Sequence, residues 1–256
     1  MSISLLFLWF MIFSLFGWIY ECIFCTIKNG HWENRGFLFG PICPIYGVGA
    51  VSVIALFGLL FRTDEPLPLW EVFLISMIGS AILEYATSFL LEKIFHAIWW
   101  DYSNIPLNIN GRICLPASLG FGVLGVLIYR FVLPVVMRLS GHIPDIVSDP
   151  IALFLMGVLG ADLALTVSTL TALVPRLEAM ENELNTRMET SFQNVLDKKD
   201  AYEQQLAESI KKYNGQFSIR ESRIMRTVKS FGTHRKKNQL ANRLKNILPS
   251  LPNRKE

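Results

Sequence analysis

The sequence predicts an all-α membrane protein: five transmembrane helices, four of them forming two parallel helical-hairpin repeats, followed by a long cytoplasmic amphipathic helix. Three observations carry this reading. The 256 residues have a mean hydropathy of +0.37, with 52% hydrophobic and only 18% charged, too apolar for an ordinary soluble domain of this length. The apolar residues gather in five windows, each close to the roughly 20 residues that cross a hydrocarbon core of about 30 Å. And the order of polar landmarks in the first two windows returns in the next two.

The windows are Leu5–Ile27, Cys43–Phe61, Leu69–Leu91, Leu115–Met137 and Ile151–Val174. The first lacks a basic leader and a small-residue cleavage site and carries Glu21, so it reads as a retained span rather than a signal peptide. Residues 1–175 are therefore expected to form the membrane domain, with hairpin repeats at about 5–61 and 69–137 and an extra span at 151–174. Of the 24 Lys and Arg, 17 follow Pro175. A basic segment of that length is most easily left in the cytoplasm, which puts the protein in the cell membrane as a multi-pass chain with its N-terminus outside and its C-terminus cytoplasmic. The four cysteines, Cys22, Cys25, Cys43 and Cys114, then lie near cytoplasmic ends of spans, where disulfides do not persist. The C-x2-C pair at 22 and 25 has no second pair to complete a zinc site and reads as two small buried hydrophobes.

In the first hairpin the landmarks run Gly17, Glu21, His31, Trp32, Asn34, Arg35, Pro41, Cys43, Pro44, Gly47, Gly49. In the second they run Gly79, Glu84, His96, Trp99, Trp100, Asn110, Arg112, Cys114, Pro116, Gly120, Gly122. Both copies begin with a span running inward, so the repeats are parallel and related by an axis along the membrane normal. That places Glu21 and Glu84 at matching depth. A carboxylate inside a bilayer is costly and faces the bundle interior, a partner or a function. Two readings follow. Glu21 and Glu84 pair with Arg35 and Arg112 as clasps that fix the hairpins, or these four residues, with Asn34 and Asn110, line a polar chamber open to the cytoplasmic side that binds a charged ligand. A second intramembrane pair, Arg130 with Asp162, is close enough in depth to close as a structural clasp, with a proton or ion relay as the alternative.

The segments "GWIYEC", "NRGFLFGPICPIYGVGA", "LEYATSFLLEKIFHAIWWDYSN" and "NGRICLP" closely resemble the CmpB-like family of bacterial membrane proteins, labelled ABC-transporter permease or type IV ABC-transporter. The resemblance covers roughly residues 5–137 and implies that spans one to four are the family core, with Glu21, Arg35, Glu84 and Arg112 inside its motif segments. It leaves span five and the tail outside.

Beyond Pro175, apolar residues recur from Leu177, Met180 and Leu184 through Ile224, Val228 and Phe231 at a mean spacing near 3.6. This predicts an amphipathic helix over 176–232, interrupted at Asn214–Gly215. Its stripe needs a partner, and a second copy in a coiled-coil pairing through residues 177–231 is the simplest one. The basic stretch 233–256 is expected to be disordered and to meet anionic lipid; no nucleic-acid module is present.

For function, the sequence supports a permease-like or ligand-binding membrane component that uses the chamber. The alternative is a non-catalytic membrane scaffold whose cytoplasmic helix dimerises or recruits a partner. An intramembrane enzyme is a third reading, against which stand the lack of a nucleophile elbow and of H-E-x-x-H; the loose set Glu21, His31, Glu84 and His96 is a weak metal candidate, and no cofactor is expected. With no G-x4-G-K-[ST], ATP hydrolysis would require a separate ATPase subunit.

Overall fold

A computed structural model of the chain describes residues 1–29, 36–60, 67–192 and 218–231. Asn34 and Arg35, the middle of the expected tail helix and the basic C-terminal stretch lie outside the described residues. Helix α1 (Ile3–Asn29) is followed by α2 (Pro44–Ala55), which runs on into a π-helical turn at Leu56–Leu60. Helix α3 (Leu69–Phe95) leads to a short strand β1 (Ala97–Ile98) and then to a small hairpin of β2 (Asn108–Ile109) and β3 (Ile113–Cys114). Helix α4 (Leu115–Leu127), a second π-helical turn (Ile128–Val132) and α5 (Leu133–Ser140) form one continuous apolar rod, and α6 spans Asp145–Phe192.

Four of these helices are long and apolar enough to cross a membrane: Ile3–Ile27, Leu69–Phe95, Leu115–Ser140 and Asp145–Met180. A shorter apolar helix occupies Pro44–Gly58. Large apolar side chains stand exposed along them, among them Phe16, Ile82, Phe131 and Leu153, as lipid-facing surface requires. The protein is a multi-pass membrane protein.

Two compact units make up the fold, and each is described by itself. The first comprises residues 1–89 and 101–166. Its core joins Ile54 and Phe57 of the α2 rod to Val72 of α3 and Leu133 and Val136 of α5, with Trp9 and Phe13 of α1 packed alongside. The hairpin α1–α2 closes because glycine permits close approach. A side chain on Gly47 would collide with Ser14 and with the Phe10 backbone oxygen, and one on Gly17 would collide with Tyr46. In the second hairpin Gly125 of α4 is crowded in the same way by Ser76 of α3. The amide of Cys43 donates to the carbonyl of Ser14, 2.9 Å away, so α2 begins beside the middle of α1 rather than beside its end. The chain that precedes it, Gly36–Cys43, is non-helical and packs along α1 and α6, with Leu38 and Ile42 buried against Met11, Phe7, Phe10, Leu155 and Leu159.

The two π-helical turns share a position. Each starts twelve residues after a first-turn proline, at Leu56 after Pro44 (56 − 44 = 12) and at Ile128 after Pro116 (128 − 116 = 12). The second has a local cause: Pro134 cannot donate to the carbonyl four residues back and its ring presses on it, which widens the helix there.

The second unit comprises residues 90–100 and the described residues from 167 onward. Of the helix expected over 176–232, only the two ends lie within the described residues. Helix α6 continues through Pro175, where the sequence suggests a domain boundary, to Phe192. Residues 219–227 form a separate short helix, α7 (Ile219–Thr227), and Ser230–Phe231 form a strand, β4, paired antiparallel with β1. The new helix start is set by a capping box: Ser218 Oγ accepts from the Glu221 amide at 3.2 Å, and Glu221 accepts from the Ser218 amide at 2.8 Å. Glu221 also meets Arg176 at 3.1 Å. Leu177, Met180, Ile224, Val228 and Phe231, all expected on an intermolecular stripe, are buried within the chain. Removing the cap with Ser218→Ala should cost about 1 kcal/mol locally, read as faster amide hydrogen exchange across 219–231 with no change in α1–α5.

Candidate functional site

Helices α1 and α3 are both 27 residues long, with Glu21 at the nineteenth position of one and Glu84 at the sixteenth of the other. Gly17 lies one turn before Glu21, and the absence of a side chain there lets the Tyr46 ring rest on α1. The Tyr46 hydroxyl thereby reaches the carboxylate and donates to Glu21 Oε1. Cys25, one turn further along, lies with its Sγ 3.8 Å from Glu21 Oε2, and both Cys22 and Cys25 are buried. The Tyr46 ring also packs on Tyr20 (6.0 Å between centroids) and on Phe121 of α4 (6.2 Å), so it bridges the two hairpins.

Glu84 is 6% exposed. Its Oε1 accepts from the Tyr102 hydroxyl at 3.4 Å, and its Oε2 is buried with no hydrogen-bond partner. Tyr102 is held by its own amide, which donates to the Gly111 carbonyl at 2.8 Å. Burial first, then the negative charge of Glu84, then Cys114 and Glu21 push the Tyr102 phenol up well beyond its ordinary range.

Arg112 is buried and lies along α3. Its guanidinium stands 5.6 Å from the Tyr85 ring centre and 5.4 Å from that of Phe89, and Nη1 donates to Ser88 Oγ at 3.4 Å. Glu84 therefore takes its hydrogen bond from Tyr102, while Arg112 is engaged one turn further along the helix. Asn110 adopts a left-handed conformation (φ 54°), which asparagine tolerates, and its amide donates to the Tyr85 hydroxyl at 3.1 Å. Asn108, which the sequence did not single out, organises the turn by accepting from the Gly111 amide at 3.0 Å and donating to the Ile105 carbonyl at 2.7 Å. Asn34 and Arg35 lie outside the described residues.

Helices α2 and α4 open alike. The residue at each N-cap is a cysteine, Cys43 or Cys114, and neither start carries a side-chain cap. Uncapped amides give both helix starts a partial positive charge.

Asp162 sits apart from this group. Its Oδ1 accepts from the Phe39 amide at 3.0 Å and its Oδ2 from the Gly40 amide at 2.7 Å, with Thr166 Oγ1 at 3.5 Å. The carboxylate is directed at the backbone of the 36–43 segment, whereas Arg130 stands exposed on the second π-helical turn. Among the described residues no ion pair joins the two.

The family model ABC_trans_CmpB, described as "Putative ABC-transporter type IV", matches residues 8–167, well over half of the chain. The protein belongs to this family. The CmpB-type match extends past residue 137, where the motif segments end, and takes in the first part of α6. Span five is therefore part of the family region, a correction that the fastening of segment 36–43 by Asp162 makes physically intelligible. Comparison with curated proteins and with solved structures gives no match. Tyr46 and Tyr102 are the site residues that the sequence reading missed; both stand inside the segments that carry the resemblance, in "CPIY" and "WWDYSN".

Proposed function

We propose that this CmpB-type protein is a permease-like, ligand-binding membrane component with a polar chamber between two hairpin repeats, open to the cytoplasmic side. The observation that carries the reading is the pair of glutamates, one on α1 and one on α3, each accepting a hydrogen bond from a tyrosine hydroxyl. The common features of α2 and α4, a cysteine N-cap, a first-turn proline and a π-helical turn at the same spacing, support treating 5–61 and 69–137 as repeats. In this reading α2 counts as a fifth, short crossing, the N-terminus is outside and the tail cytoplasmic. Glu21, Glu84, Arg112 and Asn110 line or frame the chamber, Arg35 and Asn34 complete it, and a separate ATPase subunit supplies any ATP hydrolysis.

The scaffold reading draws on the tail, whose dimerisation through residues 177–231 remains part of the proposal. Leu177, Met180, Ile224, Val228 and Phe231 are buried, and the middle of the stripe lies outside the described residues. Anionic lipid is the partner assigned to the basic stretch beyond residue 232.

Single cysteines placed by Glu21→Cys or Glu84→Cys in a chain whose native cysteines are replaced by serine separate the two readings. In membrane vesicles of known sidedness, a membrane-impermeant methanethiosulfonate should label both positions from the cytoplasmic face only. Failure to label either position from either face would remove the chamber and leave the scaffold.

A further inference from the structure

Three successive turns of α3 present Met77 and Ile78, then Ala81 and Ile82, then Tyr85 and Ala86 along one face, as the helical repeat requires. The two alanines keep that face low. The β2–β3 hairpin overhangs it with Leu107, Ile109 and Ile113, and the first turn of α4 closes the far side with Leu115. Together they bound a groove of about 580 Å³, open on one side and almost wholly apolar. That is the size of a small-molecule site.

The overhang is kept at a conformational cost. Leu107 has φ 56°, a left-handed conformation that a leucine rarely adopts, and its carbonyl is fixed there by the Leu115 amide at 3.1 Å. Its side chain gains nothing from the protein core in return, for Leu107 is 72% exposed and Ile109 56%. Strain retained to hold out two large apolar side chains points to something that they touch.

The position of the groove identifies what that is. Ile78 and Ile82 on one lip and Leu115 and Leu119 on the other are exposed on helices long enough to cross the membrane, so the groove continues the lipid-facing surface. Water does not fill an apolar recess of this kind. From Met77 to Ala86 the groove follows α3 for about 13 Å at 1.5 Å per residue, less than half of a hydrocarbon core of about 30 Å. A crossing helix of another chain needs a longer seat; a hydrocarbon chain within one leaflet does not. At the hairpin end the wall turns polar, where the Tyr85 hydroxyl accepts from the exposed Asn110 amide at 3.1 Å. A tyrosine with its ring in the apolar wall and its hydroxyl at the mouth suits the level at which a lipid chain meets its ester.

We propose that this groove is a binding site for a bilayer phospholipid, with an acyl chain lying along Ala81 and Ile82 beneath Leu107 and Ile109 and its ester end at the Tyr85–Asn110 pair. The chain meets protein on three sides instead of one, and the added dispersion contacts make it exchange more slowly than lipid elsewhere around the spans. The site rests on the lipid exposure of α3 and α4 and is independent of the chamber.

The test uses the full-length protein in phosphatidylcholine nanodiscs that contain a small fraction of phosphatidylcholine with a diazirine in its acyl chain. After illumination, adducts are mapped by peptide mass spectrometry, with Leu153 and Phe154 of α6, 71% and 70% exposed, as the reference for lipid that merely surrounds the protein. Residues 77–86 and 107–115 should carry about fivefold more adduct per exposed residue than the reference. Ala81→Phe fills the groove and should bring labelling there down to the reference level. Leu107→Gly removes the overhang at a position where glycine adopts φ 56° freely, so it keeps the fold and should have the same effect if Ala81→Phe does not fold. Labelling no denser than at α6, or unchanged in the folded variants, would show a surrounding lipid shell without a site and overturn the proposal. Labelling at α6 with none in the groove would mean that a protein surface covers it, and would overturn the lipid equally.

Discussion

Gly47→Val should separate the first hairpin and cost about 3 kcal/mol or more. The position leaves no room for a side chain, because the obstacles include the Phe10 backbone oxygen, 2.6 Å from where a Cβ would lie, as well as Ser14. Backbone cannot turn aside as a side chain can, so α2 must move away from α1 and take Tyr46 off Glu21. The matching control is Gly79→Ala on α3, where a Cβ meets nothing within 4 Å. That change should be neutral or stabilising by up to about 1 kcal/mol through helix propensity alone. Equilibrium unfolding of the purified variants in mixed micelles reads both. Equal, small effects at the two positions would mean that α1 and α2 are not closely packed.

The second large effect is expected at Asp162. Replacing it with alanine strands the amides of Phe39 and Gly40 beside α6 and removes two hydrogen bonds to a charged acceptor, with an expected cost of about 3 kcal/mol. Asp162→Asn keeps one acceptor oxygen and should lose about half of that. The change should appear first as rapid hydrogen exchange at Phe39 and Gly40 and as proteolysis within 36–43. Arg130→Ala should leave both signals untouched. If Arg130→Ala and Asp162→Ala instead had equal effects that did not add, the two would be partners, as the sequence alone suggests.

Much of the helical frame was legible because it depends on apolar length, and length is written directly in the sequence. Four windows correspond to helices long enough to cross a membrane. The second window, Cys43–Phe61, holds the shorter apolar helix Pro44–Gly58, and the chain before it, Gly36–Cys43, is non-helical and tied to Asp162 and Ser14. The tail differs for a local reason. A 3.6-residue spacing can be followed straight through a helix boundary, yet "SIRE" at 218–221 carries the capping-box signature that starts a new helix. At the site, Glu21 and Glu84 were legible because charge is conspicuous in a span. Their tyrosines were not, since an aromatic residue in an apolar helix or at its end reads equally well as packing or as an interfacial anchor. Complementary charge pointed to Arg112, but geometry gave the Glu84 hydrogen bond to Tyr102.

The central claim is that Glu21 and Glu84 belong to one site, and a double-mutant cycle addresses it most directly. Glu21→Gln, Glu84→Gln and the double variant are unfolded at equilibrium in the same mixed micelles. Two like charges sharing a neighbourhood make the first neutralisation relieve part of what the second would relieve. The account therefore predicts a coupling of about 1 kcal/mol or more between the two changes. Effects that add to within about 0.5 kcal/mol would mean that the two carboxylates lie in separate places, and would contradict it.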